Sequence, residues 1–437
     1  DQTGVADNLV RRLRLAGEHC LVARADDRFR LLENNHFLVN PARPADLHRL
    51  FDEAPVCQQL TCQGVVHLWS LDTNNYDRLD AGKIDKARQL TCESARLLVQ
   101  QLAAADSLHA RIWLVTQGAQ AVGERPEVPG LIQSPLWGFG RVLAEELPAL
   151  WGGLIDLDPV MPASELAGII DAEIINPDAE HQIAYRGAQR YAARLVSQAV
   201  PVLKGTGGKY PDQEGRPRLK SDASYLITGG LGDIGLQVAR WMVDQGARQL
   251  VLVGRRDFPS RRQWGLVSGN DPWQRTRIAA IVELEKAGAR VLVASCDVAN
   301  KKQLEELMQM MEQQGCSPLR GVIHAAGVVE ACQLVDMKQD QLSEMLRPKV
   351  TGTWNLHQTL ADSRLDFFVC FSSGASMLGS PLLSGYAAAN SFLDAIAHHR
   401  RASGQTALCI NWGFWDDIGM VARSRREKGH AYAPRGM

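Results

Sequence analysis

The fold is decided by residues 225–235, which read YLITGGLGDIG. The apolar run at their start is typical of a buried strand, G-x-G-x-x-G follows at 230–235, and LQVARWMV then predicts a helix. Glycines in such a turn let the backbone approach a pyrophosphate, whose charge the helix N-terminus attracts. A plain tight turn between strand and helix would need one glycine, whereas this one holds four. The stretch therefore predicts a dinucleotide-binding unit.

Apolar runs alternate with helical stretches on both sides of this turn. In the second half the strands are YLITG, LVLVG, RVLVA, GVIHAAG and DFFVCFSS, with helices to about Gln245, at 276–287, to about Gln314 and at 341–360. The first half offers VVHLW at 65–69 and RIWLV at 111–115, but no glycine-rich loop after any strand. We predict an α/β fold with two Rossmann-like doubly wound subdomains, the first degenerate and truncated, the second catalytic.

Composition fits two globular units and excludes several classes of protein. The 437 residues exceed what one core usually supports, and KGTGGKYPDQEGRPRLKSD at 204–222 resembles a linker. We place a structural subdomain at 1–205, a linker at 206–221 and a catalytic subdomain at 222–437. A net charge of −1 indicates neither nucleic acid nor a membrane surface as partner.

Cysteine spacing and the chain ends add the expected setting. The nine cysteines show no metal-ligand spacing, so we expect no metal site and no disulfide framework. A reducing, cytoplasmic compartment fits best. No apolar run is long enough to cross a membrane, and the chain starts without Met or a signal sequence. We expect it to be a piece of a longer protein.

The second strand ends in Gly254-Arg255-Arg256, where an NAD site would offer an acidic residue to the ribose. Two guanidinium groups favour the 2'-phosphate of NADPH. The alternative is a solvated basic turn, partly neutralised by Asp257.

Ser372 and Ser373 end an apolar strand, and Tyr386 follows Ser373 thirteen residues later at the start of a predicted helix. This arrangement resembles the short-chain dehydrogenases/reductases, whose tyrosine donates a proton while a serine binds the substrate carbonyl and a lysine lowers the phenol pKa. Ordinary members carry that lysine four residues after the tyrosine, but Asn390 stands here. Lys349, in RPKVTGTWNL, occupies the place where ordinary members have an asparagine.

This exchange of lysine and asparagine resembles the ketoreductase domains of polyketide synthases and animal fatty acid synthases. TGGLGDIG, LVGRR, CDV, HAAG, KVTGTWNL, FSSGASMLGS, YAAANSFLDA and NWGFW resemble that family in order. In the first half, VVHLWSLD, RIWLVTQGAQAVGE and SPLWGFGRVLAEELPALWGGLIDLDP resemble the truncated subdomain that precedes the catalytic one in polyketide ketoreductases.

The resemblance implies reduction of a β-ketoacyl thioester on an acyl carrier protein, with NADPH, inside a megasynthase. Tyr386 would be the acid, Lys349 would tune its pKa, Ser373 would bind the ketone oxygen, and Asn390 would position Lys349 or a water. We expect the cofactor to contact Thr228, Gly230, Leu231, Gly232, Ile234, Gly235, Arg255, Arg256, Asp297, Val298, Ala326 and Gly327. Taken singly, each catalytic candidate could be an ordinary satisfied polar group. The occurrence of all four at this spacing beside a phosphate loop favours the catalytic interpretation.

The sequence also departs from the family. Relatives that give one alcohol carry Leu-Asp-Asp soon after HAAG and those that give the other carry Trp eight residues before the tyrosine, but here Val328-Val329-Glu330 and Leu378 stand there. The alcohol configuration stays open. Asp233 brings an anion into the phosphate turn, and relatives continue beyond Met437. The alternatives are a fatty acid synthase ketoreductase, a redox-silent or epimerising scaffold, and a free-standing dehydrogenase.

Overall fold

The computed structural model describes residues 1–32, 35–54, 61–73, 79–104, 110–123, 127–197, 219–266 and 271–413, together with Trp415 and Gly419. Most of the predicted linker, 206–218, lies outside these residues. The described strands form three separate sheets. They are β1 (Val22–Ala25), β2 (Arg30–Leu31), β3 (His36–Val39), β4 (Gly64–His67), β5 (Arg111–Gln117), β6 (Trp151–Leu157), β7 (Gln182–Arg186), β8 (Gln189–Ala192), β9 (Ser224–Thr228), β10 (Gln249–Gly254), β11 (Arg290–Ser295), β12 (Leu319–His324), β13 (Phe367–Ser373) and β14 (Leu408–Trp412).

Helices cover the sheets and connect their parallel strands. They are α1 (Val5–Leu15), α2 (Pro44–Glu53), α3 (Ala81–Arg88), α4 (Ser94–Ala104), α5 (Pro135–Glu146), α6 (Ala163–Ile175), α7 (Asp233–Asp244), α8 (Pro272–Lys286), α9 (Lys301–Gln313), α10 (Gln339–Lys349), α11 (Thr351–Thr359), α12 (Ala375–Leu378) and α13 (Ser384–Ala402). A π-helical turn, Gln89–Glu93, joins α3 to α4, and short 3-10 helices lie at Trp69–Thr73, Leu131–Gln133, Pro148–Leu150, Arg261–Leu266 and Leu334–Asp336.

The second half contains the six-stranded parallel sheet, in the order β11-β10-β9-β12-β13-β14. Its central strands are mostly apolar because helices cover both faces, and every residue of β9 is buried. The order reverses between β9 and β12, which is where doubly wound sheets bind their ligands. The glycine turn at 229–235 leaves β9 at this reversal, so the structure confirms the predicted doubly wound fold.

The first half contains a second sheet in the order β4-β5-β6-β7-β8, parallel except for the last pair. Its strand order does not reverse, as expected for a degenerate relative of the doubly wound fold. The N-terminal strands form a small three-stranded sheet of their own, β1-β3-β2. The sequence did not indicate this separation, because strands of two to four residues are too short to show a period.

The helix predicted at 341–360 and the one after the glycine turn differ from their predicted form. The single helix predicted at 341–360 is two helices, α10 and α11, that meet at Val350. Pro348 lies in the last turn of α10, where it lacks an N–H and its ring crowds the preceding turn. Helix α7 begins at Asp233, inside the glycine sequence rather than after it.

The two halves share one hydrophobic core, in which Leu136 and Trp137 of the first half join Ala388 and Phe392 of the second. Helices α5 and α13 cross with their backbones in contact. A Cβ at Gly138 would lie 2.2 Å from the backbone oxygen of Ala387. Any side chain at residue 138 would therefore push the two halves apart.

We expect Gly138→Ala to lower the free energy of unfolding by about 1–3 kcal/mol, because the added methyl overpacks this crossing. Gly265→Ala is the control, since a Cβ there meets nothing within 4 Å. Urea denaturation of the full chain measures both. Equal midpoints for the two variants would contradict the close crossing.

Candidate functional site

The glycine turn after β9 is closed to side chains. Gly229 has a φ of 67°, and a Cβ there would lie 2.8 Å from the backbone oxygen of Ala325. The turn thus packs its backbone against the loop that follows β12, while the N-terminus of α7 presents amides that have no intrahelical acceptor. Such a cradle fits a pyrophosphate and admits no side chain in its place.

The other predicted residues of the turn surround this cradle. Thr228 is buried, and its Oγ1 lies 2.7 Å from Nδ1 of His324 and accepts a hydrogen bond from the Ala326 amide at 3.4 Å. These contacts tie the end of β9 to the end of β12. Leu231 is buried beneath the turn. Ile234 lies close to Gly419, since a Cβ added to Gly419 would be 3.3 Å from Ile234 Cδ1.

Asp233 does not leave an uncompensated charge in the cradle. The Arg277 side chain of α8 donates hydrogen bonds to its carboxylate and to the Leu231 backbone oxygen, the latter at 3.2 Å. Arg277 is itself buried and lies over the Trp273 ring. The pairing directs the Asp233 carboxylate toward α8. It thereby compensates the negative charge that Asp233 brings into the phosphate turn. Arg277 was missed because it lies 44 residues further along the chain.

The predicted phosphate-selecting arginines follow β10 directly. Both are exposed: Arg255 lies 3.5 Å from Glu344, and the Arg256 guanidinium lies 5.2 Å from the centre of the Trp273 ring. The site of Gly254, just before them, contacts Leu231 of the turn. Two guanidinium groups therefore stand beside the cradle, accessible to an anionic ligand.

Residues after β11 and β12 complete the edge. Asp297 is paired with Arg347 at 2.5 Å, and the backbone oxygen of buried Val298 accepts a hydrogen bond from Asn355 at 3.0 Å. Gly327 lies against Lys349, since a Cβ there would be 2.7 Å from Lys349 Cε. All twelve predicted cofactor residues lie at the carboxyl ends of four adjacent strands.

The four predicted catalytic side chains converge next to this edge. Ser373 ends β13, and Tyr386 lies in the first turn of α13 with Asn390 one turn later. Lys349, the last residue of α10, places its Nζ 5.8 Å from the centre of the Tyr386 ring and donates a hydrogen bond to the Phe371 oxygen at 2.8 Å. Asn390 Nδ2 donates to the Tyr386 backbone oxygen at 2.7 Å.

Burial acts on the pKa of both titratable groups here. It raises the pKa of the Tyr386 phenol, while hydrogen bonding with Asn390 and Ser373 opposes that shift. It lowers the pKa of Lys349 to about 8, against the opposing influence of Cys409, Cys370 and Asp394. Burial thus favours the neutral phenol, which is the opposite of the pKa lowering by a lysine that the resemblance implied, and Lys349 with a pKa of about 8 stays mostly protonated at neutral pH.

Asp394 is a part of the site that the sequence did not single out. Its carboxylate accepts hydrogen bonds from Ser376 Oγ at 2.6 Å, from Asn411 Nδ2 at 3.0 Å and from Cys409 Sγ at 3.0 Å. Ser376 Oγ also contacts the Ser373 backbone oxygen at 2.8 Å. Asp394 continues the series Tyr386, Asn390 on one face of α13, and this spacing was the available signal.

Two further expectations concern membrane spans and metal ions. Among the described residues, no helix is long and apolar enough to cross a membrane. In the same part of the chain, no group of three or more His, Cys, Asp or Glu is arranged to hold a metal ion.

Two family models match the chain. One, described as a KR domain, matches residues 223–417, and the other, described as the Rossmann fold domain of polyketide synthase extender module SpnB, matches 24–195. A solved structure of A-type ketoreductases from a modular polyketide synthase is 34% identical, with a TM-score of 0.71, and the alignment covers 90% of this chain and 75% of that one. The first ketoreductase of the tylosin polyketide synthase is 29% identical, with a TM-score of 0.72 and coverage of 94% and 77%.

Curated relatives are much longer than this chain. One phenolphthiocerol/phthiocerol polyketide synthase protein of Mycobacterium tuberculosis (strain CDC 1551 / Oshkosh) is 34% identical over 359 residues. That alignment covers 82% of this chain and 18% of the relative. The mellein synthase of Phaeosphaeria nodorum is 35% identical over 301 residues, which cover 67% of this chain and 16% of that protein.

We expect Lys349 to titrate near pH 8, because burial disfavours its charged form. Selectively labelled lysine followed by NMR across pH 6–11 would show this, with Lys349→Met assigning the signal. The unfolded chain holds this proton up to the ordinary pKa of 10.5, so the residue's contribution to stability rises with pH between about 8 and 10.5. A signal that titrates near 10.5 would contradict the burial argument.

Proposed function

Because the chain belongs to the ketoreductase domains of modular polyketide synthases, we propose that it reduces a β-ketoacyl thioester, carried on an acyl carrier protein, to the β-hydroxyacyl thioester with NADPH. Ketoreductases of this family are oxidoreductases that bind a nicotinamide cofactor. The observation that carries the proposal is the convergence of Lys349, Ser373, Tyr386 and Asn390 beside the glycine cradle. The carrier protein and the other domains of a megasynthase are proposed partners.

The residues present fit the cofactor. The closed glycine turn would hold the pyrophosphate, and Arg255 and Arg256 would bind the 2'-phosphate that distinguishes NADPH. Asp297 and Val298 would flank the adenosine part, and Ala326 and Gly327 would lie beside the nicotinamide part, next to Lys349. When bound, the cofactor supplies the hydride that reduces the carbonyl carbon.

The chain's own groups handle the oxygen of the ketone. Ser373 Oγ accepts a hydrogen bond from the Ala375 amide at 3.3 Å, which leaves its hydrogen to donate to the ketone oxygen. The Tyr386 phenol holds the proton that this oxygen takes up as it becomes an alcohol. A phenol protonated by burial is ready for that transfer before the substrate arrives.

Lys349 compensates the charge that remains on Tyr386. After the proton leaves, the phenolate is stabilised by the ammonium near its ring and by a hydrogen bond from Asn390. Phe371 holds the ammonium in place through its backbone oxygen. Asp394, which interacts electrostatically with Lys349, adds a negative charge that favours the protonated lysine.

We expect the purified chain to consume NADPH when given a β-ketoacyl thioester, and to form an alcohol that a chiral column resolves. Tyr386→Phe should lower kcat by about 100-fold or more, since general acid catalysis contributes at least that much. Its affinity for NADPH should be unchanged. Tyr191→Phe, in β8 of the first half, is the matched control. A folded wild-type protein that consumes no NADPH would instead support the redox-silent scaffold.

Cofactor selection is expected to depend on the basic pair after β10. Replacing both Arg255 and Arg256 with alanine should raise the KM for NADPH about tenfold, because a hydrogen-bonded charge pair with the phosphate is lost. The KM for NADH should hardly change. Arg262→Ala, an exposed arginine nearby in the chain, is the control. Steady-state kinetics with both cofactors measures the ratio, and equal effects on the two would contradict this assignment.

A further inference from the structure

Two loops of the second half flank the proposed active site. Residues 328–337 run from the end of the cofactor edge to α10, and residues 379–383 lead from α12 to Tyr386. The loops contact each other through a hydrogen bond from the Cys332 amide to the Leu382 oxygen at 3.0 Å. Val329 of the first loop and Leu383 of the second pack in the same small apolar cluster as Tyr386.

One carboxylate of the first half binds both loops at once. Glu146 Oε2 accepts a hydrogen bond from the Leu334 amide at 2.7 Å, and Oε1 accepts one from the Leu382 amide at 2.6 Å. Hydrogen bonds to an ionised acceptor are the stronger kind. The two contacts bridge sequence separations of 188 and 236 residues.

Glu146 occupies an electrostatically unfavourable position in its own helix. It is the last residue of α5, and a negative charge at a helix C-terminus is unfavourable next to the helix dipole. No local helical preference therefore places an acid there. The two loop amides give the carboxylate partners in the second half.

Leu382 is held in a conformation that needs outside support. Its φ of 68° is in the left-handed region, which costs free energy for a residue with a branched side chain. Its amide is held by Glu146 and its oxygen by Cys332, so both sides of the residue are fixed. The next residue, Leu383, then packs with Val142 of α5 in a small cluster that includes Tyr386.

We propose that Glu146 is a positioning residue, which orders the two loops and thereby sets how the ketone presents its faces beside Tyr386. This inference rests on the proposed reductase function. Through Glu146, the first half thus also acts on the reaction by way of a side chain that touches neither substrate nor cofactor.

The test uses the full chain with Glu146→Gln and Glu146→Ala, and with Glu145→Gln, the exposed neighbour on α5, as the control. Hydrogen exchange of peptides covering 328–337 and 379–386 should accelerate about tenfold or more in Glu146→Ala, and less in Glu146→Gln, which keeps one acceptor oxygen. Exchange in the central strands β9 and β12 should be unchanged. Glu145→Gln should behave as wild type.

Kinetics separate positioning from general damage. In both Glu146 variants we expect a raised KM for the thioester, a changed ratio of the two alcohol configurations, and an unchanged dissociation constant for NADPH. Unchanged exchange in the two loops would overturn the proposal, as would faster exchange spread over the whole sheet or an unaltered KM and product ratio. If wild-type protein reduces no thioester, the reductase function fails, and loop exchange alone then decides whether Glu146 orders the loops.

Discussion

Helices α5 and α13 touch through their backbones where Gly138 faces Ala387, and the geometry of the active site depends on that contact. Ala387 is the residue after Tyr386, so the height of the phenol above the sheet edge is fixed by the surface of the first half. Around the crossing, the Arg141 guanidinium donates to the Ser376 backbone oxygen, and Arg96 donates to the Met337 oxygen at 2.9 Å. The first half therefore acts as a rigid support for the catalytic half.

Burial shifts the pKa values of the two titrating catalytic groups in opposite directions. It favours neutral Tyr386 and neutral Lys349, while the reaction requires the phenol to give up a proton beside a cation. The structure counters the loss of charge on Lys349 with a carboxylate, Asp394, that is itself held by Ser376, Asn411 and Cys409. Asp394 and its three partners thus favour the charged form of Lys349, which the four residues named from sequence do not do by themselves.

The sequence predicted the elements whose signals are local. The glycine turn, the apolar strands and their helices each lie within about thirty residues, the span of one βαβ unit, and the structure confirms the doubly wound order they implied. The roles of Lys349, Ser373, Tyr386 and Asn390 came from a resemblance and stay predictions, although the structure brings the four together.

Features that join distant parts of the chain could not be predicted. Arg277, which neutralises Asp233, and Glu146, which binds two loops, carry no pattern that marks their partners. Their contacts depend on how helices pack after the sheet has formed. The break at Val350 was missed for a different reason, because a proline near the end of a helical pattern does not say whether the chain stops or resumes.

The crossing of α5 and α13 also bears on how such domains are exchanged between assembly lines. A chimera joined within 206–218 would combine α5 of the first half from one parent with α13 of the second half from another. Its Gly138 and Glu146 would then face a surface they had not evolved beside. Recombination that preserves activity should accordingly transfer the two halves together, with the junctions placed outside both halves.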